Sequence, residues 1–401
     1  MISQARTHNT YLQKFIELYG GQPEEVRLFF APGRVNVIGE HTDYNGGFVF
    51  PAALTYGIWA FVRPRKDETF NFASLNFEQR VTCRASNIAY HQEDDWANYP
   101  KGVISELLKD GCSFSGVDML FYGNLPNSAG LSSSAAIEVV TALAMNTIYD
   151  LKYNNIDLAQ LSQRAENHFV GVNCGIMDQF AVAMGAKDRA IFLDCRTLEY
   201  EHVPLALDGY KLVVSNTNKK RGLGDSKYNE RRQECEDGLK ILQQQLPGKK
   251  HLGEIGIQEW KNVKHVIHDA TIANRVAHVI HENERVKQAK QVLQSHLIPS
   301  FGELMYQSHE SLRDLYEVTG AELDSLYRAA RQVPGCVGTR MTGAGFGGCT
   351  VSLVAEDAID EFRETVTIVY NQEIGYSPSI YAFDIGDGAR EITKEVVQWP
   401  S

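Results

Sequence analysis

At 401 residues, 43% of them hydrophobic, the chain can bury a sizeable core and is long enough for two domains. A formal net charge of -11 at pH 7 argues against nucleic acid or an anionic membrane as the main partner, because neither is drawn to such an average field. The seven cysteines are an odd number and are scattered without a C-x-x-C pair, a pattern that fits reduced thiols in the cytoplasm better than a disulfide framework or a thiolate metal site.

The first twenty residues read as an amphipathic helix with Tyr11, Phe15, Ile16 and Tyr19 on related faces, without the apolar core of a signal peptide. No stretch approaches the roughly 20 apolar residues of a membrane span. Residues 33 to 47, GRVNVIGEHTDYNGG, place Glu40, His41, Asp43, Tyr44 and Asn45 between glycines. A strand-like run of β-branched and aromatic residues follows at 48–64, and a second strand is expected at 118–126. Helical spacing of Ile137, Val140, Leu143 and Ala144 predicts a helix over 132–150. Strand-like runs recur at 189–205 and 210–218. From about Lys227 to Tyr327 the chain is polar and helical in texture, and residues 349–362 read as a strand followed by a helix. The pattern is α+β, with a domain boundary near residues 205–225, giving domains at 1–210 and 211–401.

Three further stretches carry chemistry. LPNSAGLSSSAAIEV, residues 125–139, runs small residues straight into a helix, whose first N–H groups and positive dipole end form an anion cradle. One serine would suffice for capping, and the stretch lacks the lysine of a Walker A loop. Residues 165–185 carry Glu166 and Asp178 in apolar company. Asp178 either caps a helix or, if buried and charged, needs a cation, for which Arg34 is the candidate. In TRMTGAGFGGCTVSLVAE, Gly343, Gly345 and Gly348 satisfy G-x-G-x-x-G. A strand rather than a helix follows, so a nicotinamide dinucleotide site fails on context, and what is left is a glycine-rich turn or a backbone that comes close to a ligand.

Taken together, the chain resembles the GHMP family of small-molecule kinases. APGRVNVIGEHTDYNGG is similar to the signature of its galactokinase branch, and GLSSSAA, CGIMDQF, SKYNERR and MTGAGFGGC follow in the family's order. The resemblance implies a two-domain fold: an N-terminal α/β domain of ribosomal-protein-S5-like topology and a C-terminal ferredoxin-like α+β domain, with the active site between them. It implies transfer of the γ-phosphoryl group of ATP to the anomeric hydroxyl of galactose. Glu40, His41, Asp43, Gly175, Asp178 and Tyr228 then bind sugar. Asn127, Ser128, Ala129, Gly130, Leu131, Ser132, Ser133, Ser134 and Ala135 wrap the nucleotide phosphates, with Gly343, Gly345 and Gly347 beside them. Ser134 and Glu166 are the implied ligands of Mg2+. Asp178 and Arg34 are the implied catalytic pair, Asp178 acting as base or as an orienting group. Carboxylates suit a hexose because they are strong acceptors for hydroxyls that are costly to bury unpaired. The implied partners are galactose and MgATP alone, with no nucleic acid, membrane or obligate protein partner; a cytoplasmic monomer is expected.

Two rivals stay open: a family member for another sugar, such as N-acetylgalactosamine or arabinose, and a non-catalytic galactose and ATP sensor. The intact GLSSSAA, Arg34, Glu166 and Asp178 favour catalysis. Two features read as decoys. His265, His268, His278 and His281 form two H-x-x-H pairs that arise on any polar helix face, and a metal site there is not expected. The basic run at 218–232 is short and reads as a loop leading to Tyr228.

Overall fold

The computed structural model describes residues 2–126, 130–205, 207, 209–219 and 224–396. Helix α1 (Ile2–Tyr19) precedes strand β1 (Arg27–Asn36), and after the loop carrying Glu40 come β2 (Phe48–Val49), β3 (Pro51–Pro64), β4 (Thr69–Ser74) and β5 (Val81–Arg84). Helix α2 (Asn98–Lys109), β6 (Val117–Gly123), α3 (Ser133–Tyr149), α4 (Asn155–Arg164) and α5 (Met177–Met184) follow, then β7 (Arg189–Asp194), β8 (Tyr200–Pro204) and β9 (Tyr210–Asn216). The polar stretch forms helices α6 (Gly224–Leu242), α7 (Ile257–Val263), α8 (Ala270–Gln294), α9 (Ile298–Ser311) and α10 (Gly320–Ala330). Then come β10 (Cys336–Thr342), β11 (Cys349–Ala355), α11 (Ile359–Ile374), β12 (Ser379–Phe383), β13 (Arg390–Glu391) and α12 (Thr393–Val396).

Among the described residues, six strands pair in the order β13-β1-β3-β6-β4-β5, with only β4 and β6 parallel. Alternate residues of β1 face opposite layers, as the pleat requires. Phe29, Ala31 and Val35 enter the main core, while Leu28 and Phe30 pack with Leu12 and Phe15 of α1. Phe15 is fully buried, which contributes about 1.5–3 kcal/mol. Helix α3 buries residues on nearly every side, including Ala135, Ile137, Val139, Val140 and Met145, as expected of a helix apolar around most of its circumference.

The second sheet, of four strands, has the order β10-β11-β9-β12 and is antiparallel throughout. With α6–α10 between β9 and β10, and α11 between β11 and β12, it follows the β-α-β-β-α-β pattern of ferredoxin-like folds. Strands β2, β7 and β8 form a third, small sheet. The end of the chain returns to the first sheet: β13 pairs with β1, and Arg27 holds Glu391 through a two-pronged ion pair at 2.9 and 2.6 Å. The run 48–64 expected as one strand is two, broken at Phe50. Phe50 N–H donates to Asn36 Oδ1 and to the Ile38 carbonyl instead of continuing a ladder.

Candidate active site

A bulge in β1 sets the first site residue. The register to β3 shifts between Pro32 and Arg34, which re-aims the strand. Gly33 permits this, since a Cβ there would lie 2.4 Å from the Leu125 side chain and 2.7 Å from the Leu131 carbonyl. Arg34 Nε and Nη2 donate to Asp178 Oδ1 and Oδ2 at 2.8 and 2.9 Å, and Nη1 donates to the Gly130 carbonyl at 2.7 Å. Asp178 also accepts from the Ser132 hydroxyl at 2.6 Å. Asp178 therefore does not cap its helix. It is the second residue of α5, and its oxygens accept from a guanidinium and from Ser132, just before α3.

The loop after β1 is fixed from two directions. Glu40 Oε1 accepts from the Gly343 N–H (2.8 Å), the Thr342 hydroxyl (3.1 Å) and Arg340 Nη1 (3.4 Å), and Oε2 accepts from Asn36 Nδ2 (3.0 Å). From the other side, α8 supplies His278, Glu282 and Asn283. Glu282 Oε1 accepts from Gly39 N–H at 3.0 Å, Asn283 Oδ1 from Phe48 N–H at 2.6 Å, and His278 Nε2 lies 3.2 Å from the Glu40 carbonyl. A carbonyl only accepts, so His278 carries its proton on Nε2 and accepts from the Ser311 hydroxyl on Nδ1. Burial of Glu282 opposes its charge, but Arg285, His278 and Arg340 outweigh it and bring its pKa down to about 2.

His41 and Asp43 sit inside this frame. His41 has φ 62°, a strained value for a residue with a side chain. Burial, then His278, lowers its pKa to about 3, so it is neutral. Asp43 moves the other way: burial, then the nearby Asp178, raises its carboxyl to about 7. Gly175 lies against it, and a Cβ there would fall 1.9 Å from Asp43 Oδ2. The Tyr228 ring closes the group, its centroid 5.7 Å from His41 and 5.4 Å from Tyr44.

The acidic group lies on the other side of Asp178. A π-helical turn, Ala165–Val170, carries Glu166; such turns are frequent at functional sites. Glu166 accepts from Gln179 Nε2 at 2.6 Å and is hydrogen-bonded to Ser134, yet burial and then Asp178 raise it to about 7. Glu138, fully buried on α3, is pushed well up by burial and then by Glu166, and its Oε1 has no hydrogen-bond partner. Of these three carboxyls only Asp178 is paired with a guanidinium, and Asp178 and Glu166 are hydrogen-bonded to serines at the start of α3, Ser132 and Ser134. That donor set suits a hard, oxygen-seeking cation such as Mg2+.

Ser132, with φ 60°, precedes α3, while Leu131 and Ala135 are buried and Ser133 and Ser134 begin α3. Asn127, Ser128 and Ala129 lie outside the described residues. Gly343 faces the loop, its Cβ position 3.3 Å from the Gly130 carbonyl, and Gly345 and Gly347 also have positive φ. His265 and His268 are exposed, and among the described residues no three His, Cys, Asp or Glu side chains converge so as to hold a metal ion by themselves. His278 is a clamp on the Glu40 loop. Arg340, Glu282, Asn283, Glu138 and Tyr316 were not singled out from the sequence. All but Tyr316, which ends the π-helical turn Leu312–Tyr316, sit in an ordinary helix or strand, and only a distant partner makes each of them part of the site. No described helix is long and apolar enough to cross a membrane.

Comparison with known proteins agrees with this geometry. Residues 13–64 match the family model for the galactokinase galactose-binding signature, 98–186 that for the GHMP kinases N terminal domain, and 289–372 that for GHMP kinases C terminal. The chain is 50% identical to a galactokinase of Clostridium tetani, over 96% of this chain and 97% of that one. It is 53% identical to a galactokinase of Fusobacterium nucleatum, over 92% and 95%. The crystal structure of Lactococcus lactis galactokinase complexed with galactose superposes with a TM-score of 0.93 at 42% identity, covering 96% of this chain and all of that one. A mevalonate kinase shares the fold at a TM-score of 0.64 and 17% identity, covering 90% of this chain and 99% of that one. The two-domain GHMP kinase fold expected from the motifs is borne out, and the chain belongs to the galactokinase family.

Proposed function

We propose that the protein phosphorylates galactose at its anomeric hydroxyl with ATP, giving galactose 1-phosphate and ADP. The observation that carries this reading is the two-pronged Arg34–Asp178 pair, set between the hydroxyl-binding loop and the helix start that receives phosphate. Phosphoryl transfer asks a protein mainly to position the reactants and stabilise charge. Asp178 orients the anomeric hydroxyl and accepts its proton as the oxygen attacks; Arg34, beside it, stabilises charge on the transferring group. Glu40, His41, Asp43, the Gly175 backbone and Tyr228 hold the remaining hydroxyls. Because each buried acceptor left unpaired costs about 1–3 kcal/mol, an epimer with one hydroxyl moved is discriminated against.

The phosphates are read to lie against residues 127–135 and the 343–347 glycines. Mg2+ is held by Ser134 and Glu166 and, when bound, neutralises charge on the phosphate oxygens. The raised pKa of Glu166 and the unpartnered Glu138 Oε1 support a cation there. Glu166→Gln is expected to weaken Mn2+ binding, followed by electron paramagnetic resonance with ADP, by about 10–100-fold; unchanged Mn2+ affinity would remove Glu166 from the ligand set. We divide the chain into domains at 1–210 and 211–401, with β13 returning to the first. The seven free thiols support a reducing compartment, and nothing in the described site requires a second subunit.

The test is ADP release from MgATP with galactose, glucose, N-acetylgalactosamine, arabinose and mevalonate as acceptors. Turnover with galactose alone is the expected result. Faster turnover with another acceptor overturns the sugar, and galactose binding without turnover favours the sensor.

A further inference from the structure

Helix α9 carries two buried serines that touch none of the residues read to bind sugar, yet each reaches the Glu40 loop through a single intermediate. Ser308 is fully buried and Ser311 nearly so; three residues apart on α9, they share a face of the helix. On α8, His278 and Glu282, four residues apart and both fully buried, share a face in the same way. Ser308 Oγ lies 2.6 Å from Glu282 Oε1 and 3.0 Å from Arg340 Nε, and Ser311 Oγ lies 2.8 Å from His278 Nδ1.

The direction of each bond follows from which groups can donate. Backbone and guanidinium N–H groups only donate, carbonyls and ionised carboxylates only accept, and a serine hydroxyl has one proton. Arg340 Nε therefore donates to Ser308, which leaves the Ser308 proton for Glu282 Oε1. The same oxygen accepts the Gly39 N–H at 3.0 Å, and Oε2 accepts from Arg285 Nε at 2.7 Å. On the other side the Glu40 carbonyl, 3.2 Å away, takes the proton of His278 Nε2. Burial keeps this imidazole neutral, its pKa lowered to about 4, so Nδ1 is an acceptor and the Ser311 proton goes to it.

Three holds thus converge on one short stretch. Glu282 holds the N–H of Gly39, His278 the carbonyl of Glu40, and Arg340 the Glu40 carboxylate at 3.4 Å together with the Asn36 carbonyl at 3.0 Å. Gly39, with φ 102°, has no room for a side chain: a Cβ would lie 2.7 Å from Val286 of α8. His41, next after Glu40, has φ 62°, a value that persists only where the surroundings impose it.

We propose that Ser308 and Ser311 are positioning residues of the sugar pocket: through Glu282, Arg340 and His278 they hold Gly39 and Glu40, and so fix the loop that presents Glu40, His41 and Asp43 to the sugar. That those groups meet galactose rests on the proposed function; the frame behind them does not.

Amide hydrogen exchange of the ligand-free, full-length protein, calorimetry with galactose and with ADP, and steady-state kinetics test it in the wild type, Ser308→Ala and Ser311→Ala. In the wild type the Gly39 N–H should be protected from exchange. Ser308→Ala should weaken galactose binding about 5–50-fold and raise the galactose KM to match, with ADP affinity, ATP KM and kcat within about threefold. Its Gly39 N–H should exchange faster while the amides paired between β1 and β3 keep their rates. Ser311→Ala, acting at the Glu40 carbonyl, should weaken galactose about 2–10-fold and leave Gly39 protected. An unprotected Gly39 N–H in the wild type overturns the proposal even if no variant folds, as does unchanged galactose affinity in either variant. Parallel loss of galactose affinity, ADP affinity and β1–β3 protection also overturns it, since a serine that merely stabilises the fold would give that result. If Gly39 exchange behaves as expected but the wild type neither binds nor phosphorylates galactose, the frame stands and the galactokinase reading falls.

Discussion

The loop around Glu40 and the acidic group around Glu166 are both buried and both polar, yet their charges are balanced differently. Glu40 has four donors from β1, β10 and the glycine-rich turn after β10. Glu282, behind it, is surrounded by cations and stays ionised. Glu166 and Glu138 have Gln179 between them, no arginine of their own, and raised pKa values. Burial therefore does not decide the state of a carboxyl; the number of donors and cations aimed at it does. The first region is a finished scaffold around His41 and Asp43. The second is tolerable as built only while protonated, or while a cation shares the cluster.

Asp178 stands where the two regions meet, and removing its charge breaks the comparison most severely. Asp178→Asn keeps the size of the side chain and is expected to lower kcat by about 10²–10⁴-fold, with ADP binding by calorimetry retained. Substantial turnover in that variant would refute Asp178 both as base and as orienting group.

Arg340→Met attacks the scaffold alone. Arg340 is fully buried and donates to Ser308, to the Asn36 carbonyl and to Glu40. Leaving those acceptors short in the interior should cost about 3–5 kcal/mol, read as a lower urea midpoint at unchanged slope. A loss below about 1 kcal/mol would mean that Thr342, Gly343 and Asn36 suffice for Glu40.

Asp43 sharpens the comparison through pH. Its folded-state pKa of about 7 lies above the roughly 3.9 of an unfolded Asp, so between those values the folded chain holds a proton that the unfolded chain has released. Stability from this group is therefore present below about pH 4 and lost as pH rises to about 7. Asp43→Asn should raise the melting temperature of the ligand-free protein by a few degrees at pH 8 and much less at pH 5. A gain that does not depend on pH would assign the effect to packing. The smallest effect is expected at the exposed His265 and His268: replacing both by alanine should leave melting temperature and turnover within error, and zinc-dependent stabilisation lost in that double variant would restore the metal reading.

Much of the fold was legible because its signals are local. The strands at 118–126 and 210–218, the helical spacing of α3 and the polar helices α6–α10 follow from signals that a single segment carries. The motifs also announced Arg34, Glu166 and Asp178, since charged residues in apolar surroundings require partners. The break at Phe50 was hidden, because its backbone bonds to Asn36 and Ile38 depend on a loop returning to the sheet. The role of α8 was hidden for the same reason: His278 reads as one of four surface histidines until the Glu40 carbonyl is brought to it.

By itself, then, the sequence determined the α+β character and the main strand and helix runs, the place where small residues lead into α3, and which charges could not stay solitary. Only the tertiary structure decided that Asp178 pairs with Arg34 instead of capping α5, that Glu40 is held by residues some 300 positions later in the chain, and that Ser308 and Ser311 stand behind that hold. Local propensity is set by neighbours three or four residues away, whereas the state of a buried polar group is set by whichever donors and charges the fold carries to it, and those have no fixed spacing in sequence.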